Sequence, residues 1–272
     1  MSRARVGVYA LWQLRDYLKD RGLSTLIVAA LSAYLALSTT TETVPMPLPT
    51  DPVPAGLLTR FGSAGAVYSA RMSEFSFHLM RSMLGALIFL GALFAMNGIV
   101  ANDRKQGYFR LLFAKPVTPM RYYGQAFLVH WFGFMIVMLL LGLLYSVIVW
   151  PVLTPRFVIV VSLMFVGYAG IAFLLSAAAR WDWLSLVVVS VAAMFFWSKF
   201  GASTHPLAAL LYLLPPVHRA DEVYASVSGT PVLSVAGLPA VPWPIVAWFA
   251  GYGIICYIAG LVVLRFRRLA IV

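Results

Sequence analysis

The chain has 272 residues, of which 62% are apolar and only 11% charged, against roughly 45–50% and about 25% in soluble globular proteins. So little polar side chain cannot cover a water-facing surface, which excludes an ordinary soluble domain, a disordered chain, a coiled coil and a disulfide scaffold, and leaves a bilayer as the solvent. The net charge of +11 then reads as basic residues retained on one side of a membrane, not as a nucleic-acid surface.

Residues 1–22 come first. Val8, Leu11, Trp12 and Leu18 fall on one helical stripe, away from Gln13, Asp16, Lys19 and Asp20. The pattern predicts an amphipathic elbow helix lying in the cytoplasmic headgroup layer. A short apolar run at residues 23–38 follows as the first predicted span. Ala36-Leu37-Ser38 has cleavage-like spacing after a short apolar core, so a secretory signal is the rival reading; the long basic segment ahead of it favours a retained anchor. The next stretch, residues 39–78, is expected as an outer loop. Pro45, Pro47, Pro49, Pro52 and Pro54 forbid helix at its start.

Further spans are predicted at residues 79–101, 122–150, 157–179, 183–200 and 243–264, since about 20 helical residues cross roughly 30 Å of hydrocarbon. The runs are continuous and lack two-residue alternation, which argues helices over barrel strands. Trp and Tyr at their ends fit an interfacial belt. A second outer loop, residues 201–242, contains an apolar piece at 206–215, too short to cross and read as a re-entrant or interfacial helix. The expected fold is an all-α membrane protein. It has an elbow over residues 1–22 and a membrane domain over 23–272, with six transmembrane helices and a re-entrant segment before the last.

With the N-terminus inside, fourteen of the 20 Lys and Arg fall in inner segments and six in outer ones. That bias predicts a multi-pass protein of the cytoplasmic membrane with both termini cytoplasmic.

Catalytic motifs are absent. There is no G-x-x-x-x-G-K, H-E-x-x-H or G-x-S-x-G, and Cys256 is the single cysteine. No Asp or Glu lies inside a predicted span, which weighs against a proton-driven carrier. His130 sits well inside the third span. It is either an intramembrane polar site or a neutral imidazole hydrogen-bonded to a neighbouring helix. His205, His218, Asp221 and Glu222 match no metal-ligand spacing and read as a solvated loop. Gly167 and Gly170, and Ala247 and Gly251, recur at close-packing spacing; they serve contacts within the bundle or a seam between two copies.

The most informative stretch is the inner loop, residues 102–121, between the second and third spans. It is basic and amphipathic. Asp103 stands near a helix start, Leu111, Leu112 and Phe113 form an apolar patch, and Pro116 stops the helix. Read on its own, it could be a basic surface loop resting on anionic lipid. Asp103-Arg104, Gly107, Leu111-Leu112 and Pro116-Val117-Thr118 also resemble the coupling-helix loop of ABC-2 type exporter permeases. That family usually carries Glu at the position of Asp103 and often Thr at that of Tyr108. The elbow, the six spans and the basic tail at Arg265-Phe266-Arg267-Arg268 extend the likeness.

The resemblance implies a transport subunit without enzymatic activity of its own. ATP and Mg would be held by a separate ABC ATPase subunit, with no cofactor on this chain. Family members pair two permeases, so a second copy or a related permease is expected, with the first and fifth spans as the seam. Asp103, Arg104, Gly107, Arg110, Leu111, Leu112 and Pro116 would meet the ATPase. The cargo is unidentified, and amphipathic or bulky compounds fit best. The other partner is membrane lipid; no nucleic acid is expected. A membrane-embedded enzyme, or a non-transporting assembly subunit of a membrane complex, are the alternatives.

Overall fold

The computed structural model describes residues 11–96, 99–100, 103, 118–178, 185–202, 206–228 and 240–266. Of these, 86% are helical and none lies in a strand. Five helices are long and apolar enough to cross a membrane: α1 (Leu11–Thr43), α3 (Ala64–Met96), α4 (Pro119–Ile148), α5 (Pro155–Ala178) and α8 (Trp243–Phe266). Between them lie the short α2 (Ala55–Phe61), α6 (Ser185–Phe200) and α7 (Ala220–Ala225). The chain is an all-α integral membrane protein.

The helix ends follow local rules. α4 and α5 both open on a Thr-Pro step. Pro supplies a first residue that needs no N–H partner. The preceding Thr hydroxyl then accepts a backbone N–H, from Arg121 to Thr118 at 3.4 Å and from Phe157 to Thr154 at 3.1 Å. α1 stops at Thr43, two residues before Pro45, because the residue ahead of a proline is pushed out of the helical region. α2 ends at Gly62, whose φ of 77° lets its N–H turn back onto the Leu58 carbonyl at 2.8 Å.

Four expectations need adjusting. No helix terminus separates residues 1–22 from 23–38: Tyr17–Gly22 is a π-helical stretch running straight into Leu23–Thr43. The predicted loop 39–78 is largely helical, because α3 begins at Ala64 and not at 79. At 33 residues α3 is about 50 Å long. It carries Arg71, Glu74 and Arg81, which lower hydropathy without interrupting backbone hydrogen bonding. The span expected at 183–200 is a described helix of 16 residues, about 24 Å. The apolar piece at 206–215 forms a 3₁₀ helix, Pro206–Leu213, with Leu210, Tyr212 and Leu213 exposed. The deeply buried part of that region lies further on, at Val223, Tyr224 and Val227.

The core runs along α3, α4, α5 and α8. Phe134 on α4 stacks on Phe165 of α5 with centroids 4.3 Å apart, and Leu84, Ile88, Met164 and Phe249 are fully enclosed beside them. Lipid tails are as apolar as leucine, so helices gain from close contact and not from leaving water. Small residues therefore set the packing. Gly170 lies against the backbone of Gly253, and Gly253 in turn against Gly167, so closely that a Cβ at Gly170 or Gly253 would overlap backbone; one at Gly167 would overlap the ring of Phe249. Gly251, singled out with Ala247 by its close-packing spacing, has no neighbour within 4 Å of where its Cβ would stand. Two residues along a helix is about 200° of rotation, which puts Gly251 and Gly253 on opposite faces.

Candidate functional site

The antiparallel helices leave two polar ends. One holds Asp103, just past α3. Tyr123, on the first turns of α4 and 1% exposed, donates its hydroxyl to Asp103 Oδ2 at 3.1 Å. The Tyr123 ring packs edge-on to Tyr122 at 5.0 Å and against Phe173 of α5 at 5.8 Å. Burial pushes the Asp103 carboxyl up to about 6, and the Tyr123 hydrogen bond works in the opposite direction. Nearby, the buried Ser176 hydroxyl accepts the backbone N–H of Val100 at 3.1 Å. The end of the second predicted span is therefore tied to both α4 and α5 by hydrogen bonds.

Asp103 is the one member of the predicted coupling set within the described residues. Arg104, Gly107, Arg110, Leu111, Leu112 and Pro116 lie outside them. Tyr123 was not legible as a partner, since nothing in the nineteen residues between it and Asp103 marks the pairing.

His130 lies about three turns along α4 from its start. Its ring sits 5.1 Å from that of Tyr17 on α1, and it hydrogen-bonds to the backbone of Ala95 on α3. Tyr17 lies flat over Gly133, where a Cβ would collide with the ring. The Tyr17 hydroxyl and His130 Nδ1 are both buried with no hydrogen-bond partner among the described residues. One turn closer to the Asp103 end, Gln125 donates to Gln13 at 3.2 Å. Three helices thus meet at His130, and its ring faces α1, not lipid. Tyr17 was legible only as part of a basic amphipathic stretch, and the small Gly133 that admits it drew no notice.

The opposite end is organised by arginines. Arg81 of α3 pairs with Asp221 of α7, its Nε donating to Oδ1 at 2.9 Å, and Arg219 forks onto Glu222 with two bonds of 2.9 Å. Those guanidinium hydrogen bonds hold both carboxyls below their usual range. His218 turns away from them and stacks on Trp197 of α6 with centroids 4.0 Å apart. Burial and the Arg219 charge both lower its affinity for a proton. Among the described residues no three His, Cys, Asp or Glu side chains converge as a metal site; His205 lies outside them. Tyr224 seals this end, its ring against Gly85 and its hydroxyl donating to that of Tyr168 at 3.3 Å. The part of the expected solvated loop around α7 is therefore anchored into the bundle by Tyr224, with Asp221 and Glu222 outside.

No family model, curated protein or solved structure matches this chain.

Proposed function

We propose that the chain is the membrane-spanning permease subunit of an ATP-driven exporter of the ABC-2 type, working with a separate ABC ATPase that holds ATP and Mg. The observation that carries this reading is the loop of residues 102–121, with Asp103-Arg104, Gly107, Leu111-Leu112 and Pro116-Val117-Thr118 in the order of a coupling helix. Its first described residue, Asp103, is hydrogen-bonded to Tyr123 on α4. A transporter powered from outside the bilayer needs a stiff link from the ATPase to the spans, because only a rigid-body shift carries closure at one site into rearrangement at another. A loop joining α3 to α4 and fastened to α4 at its start supplies that link.

In this reading residues 1–22 act as the elbow, α6 completes a six-span set, and the apolar piece at 206–215 is the re-entrant segment before α8. Both termini face the cytoplasm. A second copy pairs along α1 and α6, whose outward faces carry Leu31, Leu35, Val188 and Val191.

The test is Leu111→Asp together with Leu112→Asp. Enclosed in an ATPase groove, each leucine contributes about 1.5–3 kcal/mol. The double variant should insert normally, since a cytoplasmic loop crosses no lipid, yet lose the P-loop ATPase that copurifies with the wild type in detergent. Arg104→Ala should weaken recovery less, and mainly at low salt where its charge is unscreened, as rim charges steer docking more than they hold it. A double variant that inserts, keeps its ATPase and still transports overturns the proposal.

A further inference from the structure

α1 and α4 touch through Tyr17–Gly22, where Tyr17 covers Gly133 and Gly22 lies beside Val137. Beyond that point they diverge. The wedge between them is floored by α3 and encloses a cavity of about 360 Å³. Its inner wall is buried side chain, including Met83, Leu87 and Met138, while Leu26, Ala30 and Ile148 at its mouth are exposed on the lipid-facing side of the bundle. The cavity is therefore open sideways toward the bilayer.

We infer that this wedge binds one acyl chain of a membrane phospholipid, inserted from the leaflet at the Tyr145 end. Four observations support that occupant. The lining is apolar throughout except for the Tyr145 hydroxyl. That hydroxyl is already spent, lying 3.0 Å from Ser76 Oγ and donating to the Ser76 carbonyl at 3.1 Å. A water needs two to four polar partners, so water does not fill this space. An apolar cavity of roughly 150 Å³ takes up benzene, and one more than twice that size accommodates an extended chain on the order of a dozen carbons.

The driving force is contact. Chain and wall are equally apolar, so transfer from lipid gains nothing hydrophobic, whereas an unfilled wedge forfeits dispersion contacts along its whole lining. Because no polar group points inward, the site selects for a straight chain and not for a headgroup. This inference stands whether or not the protein is a transporter.

The experiment places the full-length protein in phosphatidylcholine vesicles doped with phosphatidylcholine carrying a diazirine midway along one acyl chain. After irradiation, adducts are mapped by peptide mass spectrometry. A parallel arm uses a diazirine-bearing free fatty acid. The phospholipid probe should label the wall peptides containing Met83–Leu87 and Met138 above the outward faces of α1 and α6. Ala30→Phe, which blocks the mouth, should lower wall labelling about tenfold. Ile27→Phe, on an exposed part of the same helix, should leave it unchanged. Ala33→Ile is a second blocking variant and keeps the test open if Ala30→Phe does not insert. Uniform labelling of all lipid-facing helices overturns the inference. So does wall labelling insensitive to both blocking variants, and so does labelling by the free fatty acid alone. A wedge occupied by a side chain from a second copy gives no wall adduct and overturns it equally.

Discussion

α5 and α8 run with their backbones in contact, whereas α1 and α4 meet over Tyr17–Gly22 and then part around an apolar wedge. Both pairs use glycine, but differently. Gly170 and Gly253 each meet backbone of the facing helix, so the axes close up there, while Gly167 beside them takes the ring of Phe249. On α4 the single Gly133 faces the ring of Tyr17, a large group filling the space a small one leaves. Further along, Ala29, Ala30 and Ala33 on α1 look toward Met138 and Leu141 across open space. Matched small residues weld two helices, and a lone small residue only seats a ring. In lipid, where burial alone is not a driving force, that difference decides which contacts are rigid.

The largest effect should come from breaking the weld. Gly170→Leu would drive a side chain into the carbonyl of Gly253, and backbone cannot swing aside as a long side chain can. Overpacking a well-filled core costs typically 1–3 kcal/mol and more where the neighbour cannot yield. Thermal unfolding in detergent should show Gly170→Leu as the most destabilised variant, with little folded protein recovered. Wild-type stability in that variant would mean that α5 and α8 are not held by their glycines.

A smaller effect, dependent on pH, is expected where α4 is held by polar contact instead of packing. The Asp103 carboxyl titrates near 6 in the fold, above its ordinary value of 3.8, because burial disfavours its charge. A carboxyl raised in this way favours the folded arrangement most when protonated. Its contribution is fully present below the unfolded value of 3.8 and is lost as pH rises through about 6. Wild-type melting temperature should therefore fall between about pH 3.8 and about pH 6 relative to Asp103→Asn, which carries no charge to bury, and level off above that. Tyr123→Phe removes the hydrogen bond that favours the charged form, so it should move the midpoint of that difference upward. A pH-independent difference between wild type and Asp103→Asn would place the carboxyl in water.

The contrast between the helix pairs also explains what could be read in advance. Long apolar runs predicted α4, α5 and α8 to within a few residues, because lipid tolerates no exposed backbone and each run must satisfy its own hydrogen bonds. The same signal missed residues 64–78 of α3. Hydropathy reports the surrounding solvent, and a helix leaving the bilayer stays a helix while its side chains turn polar. Gly167 and Gly170 stood out by their spacing, but Gly253, which Gly170 meets on α8, did not. Which face of an apolar helix turns inward is invisible when both faces are apolar. Long-range polar pairs were also hidden. Arg81 and Asp221 are 140 residues apart, and their pairing depends on α7 folding back onto α3.

The smallest effect should come from Gly251, and it is the sharpest control on the comparison. Gly251 and Gly253 share a helix, a residue type and nearly the same depth. Their difference in consequence can come only from what each faces. A Cβ at Gly253 would overlap Gly167, while one at Gly251 would meet nothing within 4 Å. Gly251→Ala should also gain slightly from backbone entropy, since glycine inside a helix costs about 1 kcal/mol relative to alanine. Its melting temperature should equal or slightly exceed wild type, while Gly253→Ala melts well below it. If the two alanine variants fell together, α8 would be intolerant of side chains on either face. Gly251 would then have to be packed against something outside this chain, and a second copy seated on α8 would be the first partner to seek by cross-linking from position 251.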